Sequence, residues 1–410
     1  MSIMSRSAIA RDPLGFLIAA VAATIPIIAV FASKAVVPAL AAFAVLGLAA
    51  WLIEGHRPRI SPVLAALLAA LVALGAISVL WAKAPTEVYS QIIRFVAIFA
   101  AGGVAVGAIV QAPDLRRTRV LLAFAVGQSV AMAALLFEFL TGAAIMRLFY
   151  PVVPAFYFST GTAVLALFAW PAALVLGRRT GRIGTGLLLL IVMCAIGFRS
   201  ASLAVGVGFA CGLIAAVMTG ILRRRAVYGL AALTVITILA APLIADALPR
   251  PDKSVASDTM VPHGVFPRLI IWDYVTDRIA ERPLAGWGLN SSRTFSSGAD
   301  QVELQGPWAV LMEPIPLHPH NAYLQWWLEL GLLGAAVGAA TVAWIMLRAG
   351  DMAAGLDNAV IGVGVTVTGL VIAGLSFGAW QSWWLSTFWV TGAMIAAARI
   401  STRARNFPRG

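Results

Sequence analysis

Charge is scarce in this sequence. Asp, Glu, Lys and Arg make up 11% of 410 residues, 61% are hydrophobic, and the mean hydropathy is +0.93. A soluble domain of this size needs a far more charged surface, so the composition excludes one and implies a polytopic membrane protein. Cysteine is nearly absent as well. Cys194 and Cys211 both lie inside apolar runs with no partner at metal-ligand spacing, which excludes a disulfide framework and leaves them as small buried hydrophobes. No Asp-x-Asp occurs, and the one His-x-His pair has no acid in a plausible ligand frame, which argues against a metal-dependent lipid-sugar transferase. No internal repeat and no low-complexity linker divides the chain.

The charge that is present is mostly basic, with a net +12. The arginines fall in short clusters between apolar runs, the distribution of topology signals and not of a nucleic-acid surface. Arg6 and Arg11 precede an apolar run that is too long for a secretion signal and is followed at once by another, so it reads as a retained first helix. Runs long enough to cross about 30 Å of hydrocarbon number about twelve. They lie near 14–32, 36–53, 62–81, 90–110, 119–141, 158–177, 183–198, 200–221, 227–247, 330–347, 358–378 and 382–398.

With that count, Arg57 and Arg59, Arg116, Arg117 and Arg119, Arg178, Arg179 and Arg182, Arg223 to Arg225, Arg348, and the tail arginines Arg399, Arg403, Arg405 and Arg409 share one side. The positive-inside rule makes that side cytoplasmic, with both termini inside. The expected fold class is an all-α polytopic membrane protein, a single transmembrane domain over 1–410. A long periplasmic loop or lid, 248–319, is inserted between spans nine and ten. Within it, residues 268–281 have the spacing of an amphipathic helix that can lie over the bundle, with Asp273 and Asp277 on its polar face, and 282–288 end it in a turn. Trp380, Trp383, Trp384 and Trp389 suit an interfacial aromatic belt.

The chemistry centres on His318-Pro319-His320-Asn321, followed by nine residues of aromatic-rich helical composition and Gly331-x-x-Gly334. Pro319 stops any arriving helix, so His320 or Asn321 falls at the first turn of a new one, where unpaired N–H groups disfavour a protonated ring. Neutral imidazole is the form that accepts a proton near pH 7. The plainer alternative makes Asn321 an N-cap and His320 an interfacial polar residue. Three arginines stand apart from the cytoplasmic clusters: Arg94 inside span four, Arg199 between spans seven and eight, and Arg268 at the start of the lid helix. Charge at such places is a functional hypothesis by default, against snorkelling for Arg199 and a pair with Glu87 or Glu138 for Arg94. A neutral histidine with guanidinium groups under an amphipathic lid suits a reaction whose leaving group is a lipid-linked pyrophosphate.

These residues resemble the O-antigen ligase and polymerase superfamily of bacterial envelope proteins. The resemblance rests on His320-Asn321 nine residues before Gly331-x-x-Gly334, on Arg199, and on Arg268 with Arg282-Pro283-Leu284-x-Gly286-Trp287-Gly288, and it extends over most of the chain. It implies a multi-pass protein of the bacterial inner membrane with a periplasmic active site. The donor would be a glycan on undecaprenyl pyrophosphate, and the acceptor lipid A-core for a ligase or a growing glycan for a polymerase. Membrane lipid is the third partner; neither nucleic acid nor cofactor is implied, and the transfer would be metal-independent and inverting.

Carried onto this chain, the resemblance makes His320 the base and Arg199 and Arg268 the pyrophosphate contacts. His318, Asn321, Arg94 and Arg282 are further candidate substrate contacts, and Gly331 and Gly334 serve helix packing. Some ligases carry an acid near the end of the penultimate span; the stretch 376–386 has none, which leaves ligase and polymerase both open. A twelve-span transporter would instead gather its polar residues near the bilayer midplane in repeated halves.

Overall fold

Every apolar run becomes a helix. The computed structural model describes residues 12–56, 60–154, 156–249, 266–295, 302–303, 311–312 and 315–403. Arg6, Arg11, Arg57, Arg59, Arg405, Arg409 and parts of the 248–319 segment lie outside the described residues. In chain order the helices are α1 (Pro13–Phe31), α2 (Val36–Glu54), α3 (Pro62–Ile77), α4 (Pro85–Gln111), α5 (Asp114–Thr141), α6 (Ser159–Thr180), α7 (Ile183–Arg199) and α8 (Leu203–Leu222). They continue with α9 (Arg224–Leu239), α10 (Ala241–Asp246), α11 (Phe266–Glu281), α12 (Ala322–Ala349), α13 (Leu356–Leu375) and α14 (Ser382–Arg403). Nine helices among the described residues are long and apolar enough to cross a membrane, and α7 is a shorter apolar one. The protein is thus an all-α polytopic membrane protein. Among the described residues the only strands are a two-residue antiparallel pair, β1 (Val302–Glu303) with β2 (Leu311–Met312).

The bundle is built around α6. Residues Gly161 to Val175 of this helix are all buried, as expected of a helix that is apolar on every side. Trp170 at its centre donates Nε1–H to Thr368 Oγ1 at 3.1 Å, which ties α6 to α13. Arginines hold one end together. Arg116 reaches Asp12 at 2.8 Å and Glu54 at 2.6 Å, joining the ends of α1, α2 and α5. Arg178 pairs with Asp357 at 2.6 Å, and Arg399 caps α12 by donating to the carbonyls of Arg348 and Ala349.

Two of the expected elements are broken, each for a backbone reason. The run 227–247 divides at Ala240 because Pro242 has no N–H to offer the carbonyl of Ile238. Trp327 supplies the missing donor, its Nε1–H lying 2.9 Å from that oxygen. The second break is at Gly331, whose φ of 62° and ψ of −158° divide α12 into a nine-residue N-terminal half and a longer half that continues the span. Trp326 proves the bend. On a straight helix it would stand about 18 Å along the axis from Gly338. Instead its ring lies against Gly338, where a Cβ would meet it at 2.5 Å.

The break frees backbone groups, and the turn after α11 takes them up. Trp287 N–H donates to Leu328 O at 2.9 Å and Gly288 N–H to Glu329 O at 2.8 Å, while Leu332 N–H donates to Pro283 O at 2.8 Å. The approach is backbone to backbone. A Cβ on Gly331 would sit 2.3 Å from the Leu284 carbonyl, and one on Gly286, itself at φ 65°, 2.5 Å from the Glu329 carbonyl carbon. This corrects the helix-packing role expected of Gly331, whose close neighbour is the backbone of a turn. Gly331 admits the 283–288 turn, and Gly334 lies under Leu330 and the Trp326 carbonyl across the bend.

The aromatic belt is corrected too. Trp380, Trp383 and Trp384 are buried among neighbouring side chains instead of exposed at an interface. Gly331→Ala is expected to cost about 3 kcal/mol or more, from left-handed strain plus overlap with the turn. Gly181→Ala, with φ 67° but open space around it, is expected to cost about 1–2 kcal/mol. Thermal unfolding of the two variants in detergent measures the difference.

Candidate active site

At the bent end of α12, His318, Pro319 and His320 lead into Asn321, whose Oδ1 accepts from Tyr323 N–H at 3.0 Å and Leu324 N–H at 3.1 Å. Asn321 is therefore the N-cap of the helix. His320 has φ 53°, a left-handed backbone that a non-glycine residue holds only when its surroundings fix it. Three contacts do so. His320 N–H donates to His318 Nδ1 at 3.1 Å, His320 Nδ1 lies 2.8 Å from Ser376 O, and the Trp272 indole of α11 donates to Pro319 O at 2.9 Å.

These contacts assign the protons on both rings. A carbonyl oxygen only accepts, so His320 carries its proton on Nδ1 and leaves Nε2 with the lone pair. His318 accepts on Nδ1, so its proton is on Nε2, 3.0 Å from the Gln381 amide, which accepts through its oxygen once turned end for end. Burial, then the neighbouring His320, Arg293 and Arg268, push the His318 pKa down to about 3. His318 is thus a neutral support behind His320. Burial also lowers the His320 pKa; the bond to Ser376 opposes the shift and the Arg268 charge adds to it. At neutral pH the half-buried His320 ring is uncharged.

Beneath the pair lies a carboxylate that the sequence reading passed over. Glu329 is fully buried, and its oxygens accept from Trp380 Nε1 at 2.6 Å, Gln325 Nε2 at 2.8 Å, Asn290 N and the Ser292 hydroxyl. Gln325 in turn accepts Ala379 N–H at 2.8 Å. One carboxylate therefore binds the stretch after Gly288, the short half of α12 and the 379–381 turn that carries Gln381 to His318. The spacing Gln325 to Glu329 places both on one helical face, the one signal in the sequence that pointed to it.

A family model described as O-antigen ligase matches residues 184–339, the stretch from α7 through the break in α12. Over that stretch the chain is similar to the O-antigen ligase family. Proteins named "Putative polysaccharide ligase" are similar to it. That of Rickettsia conorii is 28% identical over 286 residues, 68% of this chain and 67% of its own length. That of Rickettsia prowazekii is 29% identical over 269 residues, 64% of each chain. A third, of Rickettsia bellii, is 28% identical over 289 residues, covering 68% of this chain and 67% of its own length. The chain thus spans about two thirds of the length of these relatives.

The structure brings His318, His320 and Arg268 together and adds Arg293, whose charge reaches His318. Arg293 sits in a Ser-Ser-Arg-Thr turn, which reads in sequence as ordinary loop. Arg199 is exposed at the end of α7. The antiparallel contacts of α8 with α13, Gly220 beside Val360 and Gly208 beside Ile372, place residues just before Leu203 level with Ser376. Arg199 therefore shares the histidine end of the bundle. Arg282 stacks on Trp287, 4.0 Å from the ring centre, and Arg94 is exposed on α4. Glu87 and Glu138, the partners considered for Arg94, accept instead from Asn290 Nδ2 and from the Ile145 and Met146 amides. Among the described residues no hydrogen bond or ion pair joins Arg94, Arg199 or Arg282 to the histidines.

Glu329→Ala leaves four buried donors without an acceptor, an expected loss of about 3–5 kcal/mol. Glu329→Gln is expected to lose less than half as much. Its oxygen keeps the Trp380 and Asn290 donors and its amide can donate to the Ser292 hydroxyl, so that only the Gln325 bond is lost, the Gln325 oxygen being held by Ala379 N–H. Thermal melts of the two variants test this ordering.

Proposed function

We propose that this protein is an O-antigen ligase-type glycosyltransferase that moves a glycan from undecaprenyl pyrophosphate to lipid A-core at the periplasmic face of the bacterial inner membrane. In this reading both termini are cytoplasmic, and the segment 248–319 is a lid whose helix α11 closes over the site. The observation that carries it is the bond from His320 Nδ1–H to Ser376 O, which holds the proton of the neutral ring on Nδ1 and leaves its lone pair on Nε2.

The step follows from that tautomer. An acceptor hydroxyl attacks the anomeric carbon as the bond from that carbon to the pyrophosphate oxygen breaks. The hydroxyl proton passes to His320 Nε2, and the electron pair leaves with undecaprenyl pyrophosphate. Attack from the face opposite the leaving group inverts the anomeric centre. Arg268 and Arg199 take the growing negative charge on the pyrophosphate, for which guanidinium forks are suited. His318 and Gln381 hold His320 in place, and Trp272 couples the lid helix to it through Pro319. The family match over 184–339, which includes all of these positions except Ser376 and Gln381, supports the reading, as do the relatives named as polysaccharide ligases.

His320→Ala is expected to lower transfer about 10²–10⁴-fold and Arg268→Ala and Arg199→Ala about 10²–10³-fold, with insertion and helix content unchanged. The assay is transfer in detergent with EDTA, from an undecaprenyl-pyrophosphate glycan, with lipid A-core and a second donor molecule as rival acceptors. Product on lipid A-core agrees with the ligase reading. Product found only as longer lipid-linked glycan would make the protein a polymerase.

A further inference from the structure

The end of the bundle away from the histidines carries a feature that the transfer reaction does not use. Between the end of α8 and the start of α13 lies an open cleft of about 630 Å³, lined by Arg223, Arg224 and Arg225 together with the apolar side chains of Ile221, Leu222, Met352 and Leu356. On a continuous helix three consecutive side chains would point about 100° apart. Here Arg223 has φ 56° and ψ −130°, and this sharp turn between α8 and α9 lets all three line one cleft.

Nothing among the described residues neutralises their charge. Among the described residues no hydrogen bond or ion pair reaches the three guanidinium groups, and no carboxylate lines the cleft. The acids nearest in sequence to Met352 and Leu356 are engaged elsewhere: Asp357 holds Arg178, and Asp351 accepts Ala353 N–H. Arg116, Arg119 and Arg117, in contrast, are matched by Asp12, Glu54 and Asp114. The first turn of α9 contains no acid either, so the helix dipole adds to the positive potential. The rest of the lining is apolar and open, with Ile221 72% exposed.

Three unmatched guanidinium groups beside exposed apolar side chains, at the end of a membrane bundle, match a phosphate head group joined to acyl chains. We infer that this cleft binds an anionic phospholipid of the leaflet on that side. The phosphate sits among Arg223, Arg224 and Arg225, and an acyl chain runs along Ile221, Met352 and Leu356. This inference does not rest on the proposed transferase chemistry at the other end.

The test is native mass spectrometry of the full chain released from neutral detergent, titrated with phosphatidylglycerol or phosphatidylcholine of equal chain length. The wild type is expected to retain phosphatidylglycerol preferentially. Arg224→Gln and Arg225→Gln are each expected to lower that retention about five-fold, and Met352→Glu, which leaves every arginine in place, to lower it at least as much. Equal retention of the two lipids would overturn the inference, as would a preference that survives all three substitutions. Displacement of the lipid by glycerol phosphate at matched concentration would assign the cleft to a soluble anion instead.

Discussion

An apolar surrounding leaves no backbone N–H or C=O without a partner, and the architecture of this protein depends on how that demand is met where α12 breaks. At Gly331 the helix gives up its own ladder, and the turn 283–288 replaces it with bonds to Leu328, Glu329 and Leu332. Once the break is sealed, the short half of α12 can lie across the end of the bundle and set Asn321, His320 and His318 against the end of α13. The histidine motif and the Pro-Leu-x-Gly-Trp-Gly turn are far apart in sequence, yet they are two sides of one seam.

The second constraint is the single carboxylate beneath that seam. Glu329 collects donors from three stretches of chain, and through Trp380 and Gln325 it orders the 379–381 turn that places Gln381 against His318. His318, uncharged and with both nitrogens committed, fixes the left-handed backbone of His320. Ser376 then decides which nitrogen of His320 keeps its lone pair. The protonation pattern of one imidazole is thus set by a chain of hydrogen bonds that begins at a buried acid and a glycine.

Much of this could be read from the sequence. Helix positions followed from apolar length, and the amphipathic helix expected over 268–281, which in the structure starts at Phe266, from the spacing of its apolar residues, among which Ile271, Val275 and Ile279 are buried. The capping role of Asn321 was one of two readings that Pro319 left open. The break at Ala240 was available in Pro242, but a run of apolar residues hides it until the orphaned Ile238 carbonyl is seen to need Trp327. Gly331 misled because Gly-x-x-Gly reads equally as a packing face or as a hinge, and only the partner of its backbone separates the two. Trp380 read as a belt residue because its acceptor, Glu329, lies 51 positions away. Arg293 carried no signal at all, since its contribution is a charge brought near His318 by tertiary structure alone.

The most direct measurement of the central claim is the protonation of His320. The chain has four histidines, so 15N-labelled histidine gives few signals, and His320→Asn identifies the one of interest. In bilayers at about pH 7, nitrogen shifts should place the His320 proton on Nδ1, with Nε2 unprotonated and hydrogen-bond accepting. A proton on Nε2, or a doubly protonated ring at that pH, would contradict the account.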